Sequence, residues 1–176
     1  MGLLSKKNKP SQKAYAAVTG AGSGIGRSFA LELAKRGGDV ICADIDLSSA
    51  QETVDLIQSM TSSSAYAVHC DVGLKESVHA LAEQSEQLLG HPVTLLINNA
   101  GVGLGGKFDE VSLEDWQWCM HLNLWGVIHG CHYFVPKFKQ QGFGTIINVA
   151  SAAGYTAAPE MTAYNVTKSS VLALSE

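Results

Sequence analysis

The sequence has no excess of positive charge, no long apolar run and no closely spaced pair of cysteines. Its 12 lysines and arginines are outnumbered by 16 aspartates and glutamates, which gives a net charge of −4. This balance provides no basic surface for nucleic acid. No uninterrupted apolar stretch approaches the roughly 20 residues that a membrane-spanning helix needs. We therefore expect neither a nucleic-acid partner nor a membrane partner.

The cysteines and histidines do not form a recognisable metal site. His129 and His132 lie three apart near Cys131, but no third ligand accompanies them. The four cysteines lie in strand or helix patterns without Cys-x-x-Cys spacing, which is typical of reduced, buried thiols. They are Cys42, Cys70, Cys119 and Cys131. We predict no metal, and the reduced thiols favour a cytoplasmic location.

The length and composition predict one folded domain. A chain of 176 residues with 46% apolar content can bury a substantial core. Residues 1–13 carry several cations but no apolar segment long enough for a secretory signal. We predict that residues 1–13 are a flexible leader and that residues 14–176 form the domain.

Strand and helix patterns alternate along the domain. Strands are predicted near 14–19, 39–44, 65–70, 93–98 and 144–150, and helices near 24–36, 47–60, 74–89, 112–139 and 160–176. Continuous apolar strands suit a parallel sheet covered on both faces, and right-handed crossovers then predict a doubly wound α/β fold. Ligands of such sheets bind beyond the carboxyl ends of the strands. The predicted strand ends carry Gly20, Asp44, Asp71, Asn98 and Ser151, so we expect these residues to share one site.

A glycine-rich segment, Thr19–Gly26, joins the first predicted strand to the first predicted helix. Glycines permit a tight turn and let backbone N–H groups approach a pyrophosphate, whose charge is favourable at a helix N-terminus. Asp44 ends the next strand, about 20 residues further on, where a carboxylate can accept hydrogen bonds from ribose hydroxyls. The two features together predict a dinucleotide site. A carboxylate that merely begins a loop is the alternative for Asp44.

Tyr164 and Lys168 are four residues apart and share a face if their segment is helical. A neighbouring ammonium favours the phenolate form of a tyrosine electrostatically. Such a tyrosine can take a proton from an alcohol. The spacing alone also fits a packed ring beside a solvated ammonium.

From about Ala14 to its last residue, the sequence resembles the classical short-chain dehydrogenase/reductase family. The matching motifs occur in the order that the family requires. They are Thr19–Gly26, Asp71-Val72, Asn98-Asn99-Ala100-Gly101, Asn123, Ser151 and Tyr164-x-x-x-Lys168. The resemblance implies a Rossmann fold and an NAD(P)-dependent oxidoreductase that interconverts a secondary alcohol and a ketone by hydride transfer.

The resemblance also implies four catalytic residues. Tyr164 would be the general acid and base, and Lys168 would hold the nicotinamide ribose and favour the phenolate. Ser151 would orient the substrate oxygen. Asn123 would distort its helix locally and position a water that connects solvent with the lysine. Small, apolar segments at 102–106 and 152–158 suggest an uncharged alcohol or ketone as the substrate.

The cofactor site implied by the resemblance extends over most of these motifs. Asp71 and Val72 would flank the adenine, although a helix N-cap at Asp71 or Gly73 is the alternative. Ile45 and Ser23 occupy positions where family members that use NADP often carry a basic residue, and Asp44 would repel a 2′-phosphate. We therefore expect NAD rather than NADP. The expected cofactor-binding residues are Gly20, Ser23, Gly24, Ile25, Gly26, Asp44, Asp71, Val72, Asn98, Ala100, Gly101, Tyr164 and Lys168.

The last residue, Glu176, falls within the predicted helix that carries Tyr164 and Lys168. Family members continue with more helix, two strands and a segment that closes over the substrate, so we expect a fold without the last strands. The resemblance implies a homo-oligomer, a dimer or tetramer, for the full-length form. A non-catalytic dinucleotide-binding or interaction fragment is the alternative function. An epimerase or dehydratase of the extended branch fits less well, because its Gly-x-x-Gly-x-x-Gly spacing is absent.

Overall fold

The computed structural model describes residues 9–176, which alternate between strands and helices. The strands are β1 (Tyr15–Thr19), β2 (Asp39–Asp44), β3 (Ala65–His69), β4 (Leu95–Asn98) and β5 (Thr145–Asn148). The α-helices are α1 (Gly24–Lys35), α2 (Leu47–Met60), α3 (Lys75–Leu89), α4 (Leu113–Met120), α5 (Gly126–Gln141) and α6 (Thr162–Leu174). A π-helical segment, His121–Trp125, joins α4 to α5, and a short 3₁₀ helix, Ala152–Gly154, precedes α6.

The five strands form one parallel sheet in the order β3-β2-β1-β4-β5. The chain moves outward from β1 through β2 to β3 and then crosses to the other side of β1. The strand order therefore reverses between β1 and β4, where doubly wound sheets leave a crevice beyond their carboxyl ends. The predicted doubly wound α/β fold is confirmed.

The sheet is buried on both faces because its strands alternate apolar side chains between two core layers. Ala16, Val18, Val40, Cys42, Leu95 and Ile97 face α1 and α2. Ala17, Ile41, Ala43, Val68 and Leu96 face α3 and α5. Each large side chain that is removed from water contributes about 1.5–3 kcal/mol. This two-sided burial explains why the strands are continuous apolar runs.

The predicted helix over 112–139 is not continuous. The π-helical segment His121–Trp125 interrupts it and contains the buried Asn123. Isolated π turns inside helices occur where a side chain has a partner outside the helix.

The predicted leader is only partly within the described residues, because residues 1–8 lie outside them. Residues 9–13 contact the end of α1, and the flexibility of the leader stays a prediction. Gln12 N–H donates to the Lys9 carbonyl at 2.8 Å and forms a turn. Arg36, at the end of α1, donates to Ser11 Oγ at 3.1 Å and accepts from Lys13 N–H at 3.3 Å. Among residues 9–176, no helix is both long and apolar enough to span a bilayer.

Candidate functional site

A cavity of about 570 Å³ lies at the carboxyl ends of the strands and extends from β2 and β3 to β5 and α6. Its volume is typical of small-molecule sites. Most of the predicted site residues line it, namely Gly20, Ser23, Gly24, Ile25, Asp44, Asp71, Val72, Ala100, Gly101, Ser151, Tyr164 and Lys168. Gly26, Asn98 and Asn123 do not line it. Ile45, Cys70, Asn99, Val102, Gly103, Leu122, Val149 and Ala150 complete the wall.

The glycine-rich turn presents the N-terminus of α1 to the cavity. Gly20 has a φ of 66°, which a residue with a side chain rarely adopts. The helix begins at Gly24, and Ser23 precedes it without a capping hydrogen bond from its side chain. The first N–H groups of a helix have no partner within the helix and carry partial positive charge. This end of the cavity is therefore suited to an anion.

Gly26 supports the turn from behind the cavity wall. A Cβ atom built on Gly26 would overlap the carbonyl oxygen of Gly20 and lie 2.6 Å from Asn99 Nδ2. Only glycine allows the first turn of α1 to pack so closely against the end of β1. The structure thus places Gly26 as a packing residue and not as a cavity-lining one.

The Asp44 carboxylate is held in place at the end of β2. Its Oδ2 accepts from Gly22 N–H at 2.8 Å, and its Oδ1 accepts from Asp46 N–H at 3.0 Å. Each carboxylate oxygen can accept further hydrogen bonds. The side chain therefore has a fixed orientation and remaining capacity to accept from a hydroxyl group in the cavity.

The Asp71-Val72 pair forms the wall beyond β3, where Asp71 Oδ1 accepts from Gly73 N–H at 2.9 Å. Helix α3 begins only at Lys75, so neither Asp71 nor Gly73 is its N-cap. His129 Nδ1 lies 2.9 Å from the Val72 carbonyl oxygen. A carbonyl only accepts, so this nitrogen carries the proton. No local pattern in the sequence predicts this contact between His129 and the wall, because the two residues are 57 positions apart.

Asn98, one of the predicted cofactor-binding residues, does not line the cavity. Its side chain is buried and donates to Asn148 Oδ1 at 2.8 Å, in a space that Gly130 leaves open. The next residue, Asn99, lines the cavity instead and donates to the Thr19 carbonyl at 2.9 Å. Successive side chains along an extended strand point to opposite sides. The motif therefore lies at the site, but its two asparagines face different ways.

Asn123 is fully buried in the π-helical segment, so the predicted local distortion is present. Its Oδ1 accepts from Val102 N–H at 2.7 Å, and its Nδ2 donates to the Val102 carbonyl at 2.8 Å. Nδ2 also lies 3.3 Å from Thr167 Oγ1 of α6. Asn123 thus holds a residue that lines the cavity without lining it itself.

Tyr164 and Lys168 project from α6 into the same cavity as Ser151. Lys168 is only 5% exposed; its Nζ donates to the Val149 carbonyl at 2.7 Å and lies 5.8 Å from the centroid of the Tyr164 ring. Burial lowers the pKa of Lys168 from its ordinary value of 10.5. Ser151 Oγ accepts from Ala153 N–H at 3.2 Å, so the Ser151 hydroxyl can still donate.

All four cysteines are free thiols, and three of them, Cys42, Cys70 and Cys119, are buried. Burial raises the pKa of Cys70, which lines the cavity, to about 11, and that of Cys42 to about 12. Both are therefore neutral near pH 7 and act as small apolar side chains.

Comparisons with known proteins find similar dehydrogenases and oxidoreductases. The sequence profile of the family described as short chain dehydrogenase matches residues 14–176. The chain is 36% identical to the probable oxidoreductase EphD of Mycobacterium tuberculosis, over 90% of this chain and 27% of that protein. It is 36% identical to cyclohexanol dehydrogenase of an Acinetobacter species, over 92% of this chain and 64% of that protein.

A solved structure agrees with the fold. A short chain dehydrogenase/reductase from Burkholderia phymatum, crystallised in complex with NAD, matches with a TM-score of 0.89 and 38% identity. The match covers 94% of this chain and 59% of that one. The chain therefore spans less than two thirds of the length of each of these three proteins.

Proposed function

Because the chain belongs to the short chain dehydrogenase family, we propose that residues 14–176 form the cofactor-binding and catalytic part of a nicotinamide-dependent oxidoreductase. The reaction is the interconversion of an uncharged secondary alcohol and a ketone. One observation carries this proposal. A single cavity has an anion-binding helix terminus and a carboxylate at one end, and Ser151, Tyr164 and Lys168 at the other.

The residues of the cavity fit a nicotinamide dinucleotide. The α1 N-terminus offers N–H donors for a pyrophosphate, and a Cβ built on Gly24 would meet no atom within 4 Å, so the turn has open space before it. Asp44 would accept hydrogen bonds from ribose hydroxyls. Ile45 and Val72 supply apolar surface for an adenine. When bound, the nicotinamide ring accepts the hydride of an alcohol or donates one to a ketone.

We propose NAD rather than NADP as the cofactor. The Asp44 carboxylate would repel a 2′-phosphate, which also carries negative charge. The neighbouring cavity residues Ser23 and Ile45 provide no compensating cation. The binding of NAD by the Burkholderia phymatum relative supports this choice.

The side chains at the other end of the cavity would move the proton. Tyr164 takes the proton of the substrate alcohol during oxidation and returns it during reduction. The Lys168 ammonium, held by the Val149 carbonyl, lies 5.8 Å from the centroid of the Tyr164 ring, where its positive charge would stabilise negative charge that develops during proton transfer. Ser151 donates its hydroxyl proton to the substrate oxygen and stabilises negative charge that develops there. Asn123 keeps Val102 at the cavity wall.

The test combines NAD titration by calorimetry with NADH formation from a panel of secondary alcohols. We expect Tyr164→Phe to lower the rate by about 10²–10⁴-fold, the usual contribution of a general acid or base, with NAD affinity within about twofold. Tyr133→Phe is the matched control, because Tyr133 lies on α5 and does not line the cavity. It should leave both properties unchanged.

Two outcomes would count against the proposal. Full activity of Tyr164→Phe would remove Tyr164 from the reaction. NAD binding by the wild-type chain without turnover of any alcohol would favour a non-catalytic dinucleotide-binding protein instead.

We also propose that the full-length protein is a cytoplasmic homo-oligomer. Leu113, Trp118 and Trp125, on α4 and the π-helical segment, are 47–74% exposed. Exposed apolar side chains of this size are typical of interaction surfaces. Analytical ultracentrifugation should detect a dimer or tetramer, and substitution of Trp118 and Trp125 by polar residues should weaken it.

A further inference from the structure

A network of side chains forms hydrogen bonds with the glycine-rich turn on the side that does not line the cavity. The guanidinium of Arg27, in the first turn of α1, donates to the Gly22 carbonyl and, at 3.3 Å, to the Ser49 carbonyl. Arg27 Nε donates to Thr53 Oγ1 at 2.9 Å. The Thr53 hydroxyl in turn lies 2.8 Å from the carbonyl oxygen of Ala21. Two successive carbonyl groups of the turn are therefore held toward α2.

The orientation of a carbonyl determines that of the N–H group that follows it. A trans peptide is planar, and its C=O and N–H bonds point in opposite directions. The Gly22 carbonyl faces Arg27, so the Ser23 N–H points away from Arg27. Ser23 lines the cavity, whereas Arg27 and Thr53 do not.

The peptide between Ala21 and Gly22 also has its carbonyl and its N–H group on opposite sides, and here the acceptor of the N–H group is known. The Ala21 carbonyl faces Thr53, and the Gly22 N–H on the other side of that peptide donates to Asp44 Oδ2 at 2.8 Å. The turn thus has its carbonyls on one side and its donors on the other. Such an arrangement favours an anion on the donor side.

Burial and charge strengthen the hydrogen bonds from Arg27 and Thr53 to the turn. Thr53 is fully buried, and the Arg27 side chain is 28% exposed. Glu52 pairs with Arg27 at 3.0 Å on the outer side, so the arginine is directed away from the cavity. A charged donor on a carbonyl also polarises the peptide and makes its N–H a better donor.

We propose that Arg27 and Thr53 form a carbonyl clamp, a pair of positioning residues that keeps the Gly22 N–H on Asp44 and thereby orients the Ser23 N–H toward a bound pyrophosphate. The clamp touches neither the pyrophosphate nor the reacting atoms, and it acts only through the peptide groups of the turn. This inference rests on the dinucleotide binding proposed above.

The test uses ADP-ribose, which contains the pyrophosphate but no nicotinamide. Calorimetric titration should show that Arg27→Gln and Thr53→Val each weaken ADP-ribose binding about tenfold, equivalent to 1.4 kcal/mol. Thr53→Ser retains the hydroxyl and should restore binding to within about twofold. Arg36→Gln is the matched control, because Arg36 is the C-cap residue of the same helix and, within residues 9–176, its side chain pairs at the surface with Glu32 and Ser11.

A spectroscopic measurement separates positioning from general stabilisation. In ¹⁵N-labelled wild-type protein, saturating ADP-ribose should shift the Ser23 amide proton strongly downfield, because a phosphate oxygen accepts its hydrogen bond. In Arg27→Gln and Thr53→Val at saturation, we expect this shift to fall to about half or less, while Arg36→Gln retains it.

The outcomes distinguish the two proposals. Wild-type protein that binds no ADP-ribose overturns the proposed function, and the clamp with it. Wild-type binding with unchanged affinity and an unchanged Ser23 shift in Arg27→Gln and Thr53→Val overturns the clamp alone. Loss of NADP binding with unaltered ADP-ribose binding in Arg27→Gln also overturns it, because Arg27 would then be a ligand for the 2′-phosphate.

Discussion

Asn123 and Val102 exchange two hydrogen bonds, one in each direction, at 2.7 and 2.8 Å. The pair connects the π-helical segment to the loop that follows β4. Val102 lines the cavity, and a Cβ on the neighbouring Gly101 would lie 3.7 Å from Lys168 Nζ. A buried amide side chain therefore determines how close this loop lies to the proposed catalytic lysine.

Replacement of Asn123 by leucine should destabilise the fold. The substitution removes the partners of the Val102 N–H and carbonyl groups, which lie against the buried Asn123 side chain, and each unpaired group costs about 1–3 kcal/mol. We expect a loss of about 2–4 kcal/mol in the free energy of unfolding, measured by urea denaturation.

Asn165→Leu provides the comparison for that experiment. Asn165 makes a similar pair of hydrogen bonds with Ala158, at 2.8 and 3.3 Å, but remains 9% exposed. Its loss should be smaller, because water can reach the freed groups more easily. An equal or larger loss for Asn165→Leu would contradict our account of Asn123.

Alanine substitutions at Gly26 and Gly24 should have different effects. A Cβ at Gly26 would overlap the Gly20 carbonyl, so the backbone must shift, and we expect a loss of more than about 2 kcal/mol together with weaker ADP-ribose binding. At Gly24, φ is 53° and a Cβ would meet no atom within 4 Å. The expected cost there is only the strain of the left-handed conformation, about 1–2 kcal/mol. Thermal and urea unfolding of both variants measure these losses of stability. A larger loss for Gly24→Ala than for Gly26→Ala would contradict the prediction.

Asp44→Asn should change the preference between the two cofactors. The neutral amide no longer repels a 2′-phosphate and accepts fewer hydrogen bonds from the ribose. We expect NAD affinity to fall about tenfold and the ratio of NADP to NAD affinity to rise, measured by competition with ADP-ribose.

Asp46→Asn is the control for that substitution. Asp46 is the N-cap of α2, where asparagine serves equally well, and it does not line the cavity. Its variant should keep the wild-type cofactor ratio. A similar change of ratio in both variants would show that net charge, and not the position of Asp44, determines the preference.

Lys168 should make stability increase with pH in the alkaline range. Burial lowers the pKa of Lys168, so between the lowered value and the ordinary 10.5 the unfolded chain binds more protons than the folded protein. Unfolding free energy then rises with pH. We expect the stability of wild-type protein relative to Lys168→Met to increase as pH approaches 10.5, measured by denaturation across this range.

Lys137→Met should show the opposite trend. Although burial opposes the shift, hydrogen bonds to Glu83 and Glu86 raise the pKa of Lys137 above its ordinary value. Its stabilising contribution is complete below 10.5 and is lost as pH rises through the folded pKa. A common trend for both lysine variants would refute the assignment of opposite pKa shifts.

The sequence alone was sufficient for the order of the strands and main helices, and its resemblance to the family named many of the residues that line the cavity. The β2 strand ending at Asp44 and the glycine-rich turn before α1 were predicted because apolar periodicity and glycine spacing are local properties of the chain. Tyr164 and Lys168 share a helical face for the same reason. Parallel strands then bring their carboxyl ends to one edge, whatever the distance between them in sequence.

The tertiary structure decided which neighbouring side chains face the cavity and which hold it in place. Asn98 and Asn99 are identical residues at one strand end, and the space beside Gly130 and the hydrogen bond to Asn148 accommodate the first in the interior. The conformation of the π-helical segment at Asn123 depends on its hydrogen bonds with Val102. The orientation of the Gly22 carbonyl depends on Arg27. These side-chain orientations depend on contacts between segments that are distant in sequence. Local periodicity does not predict such contacts, because they form only when the helices pack on the sheet.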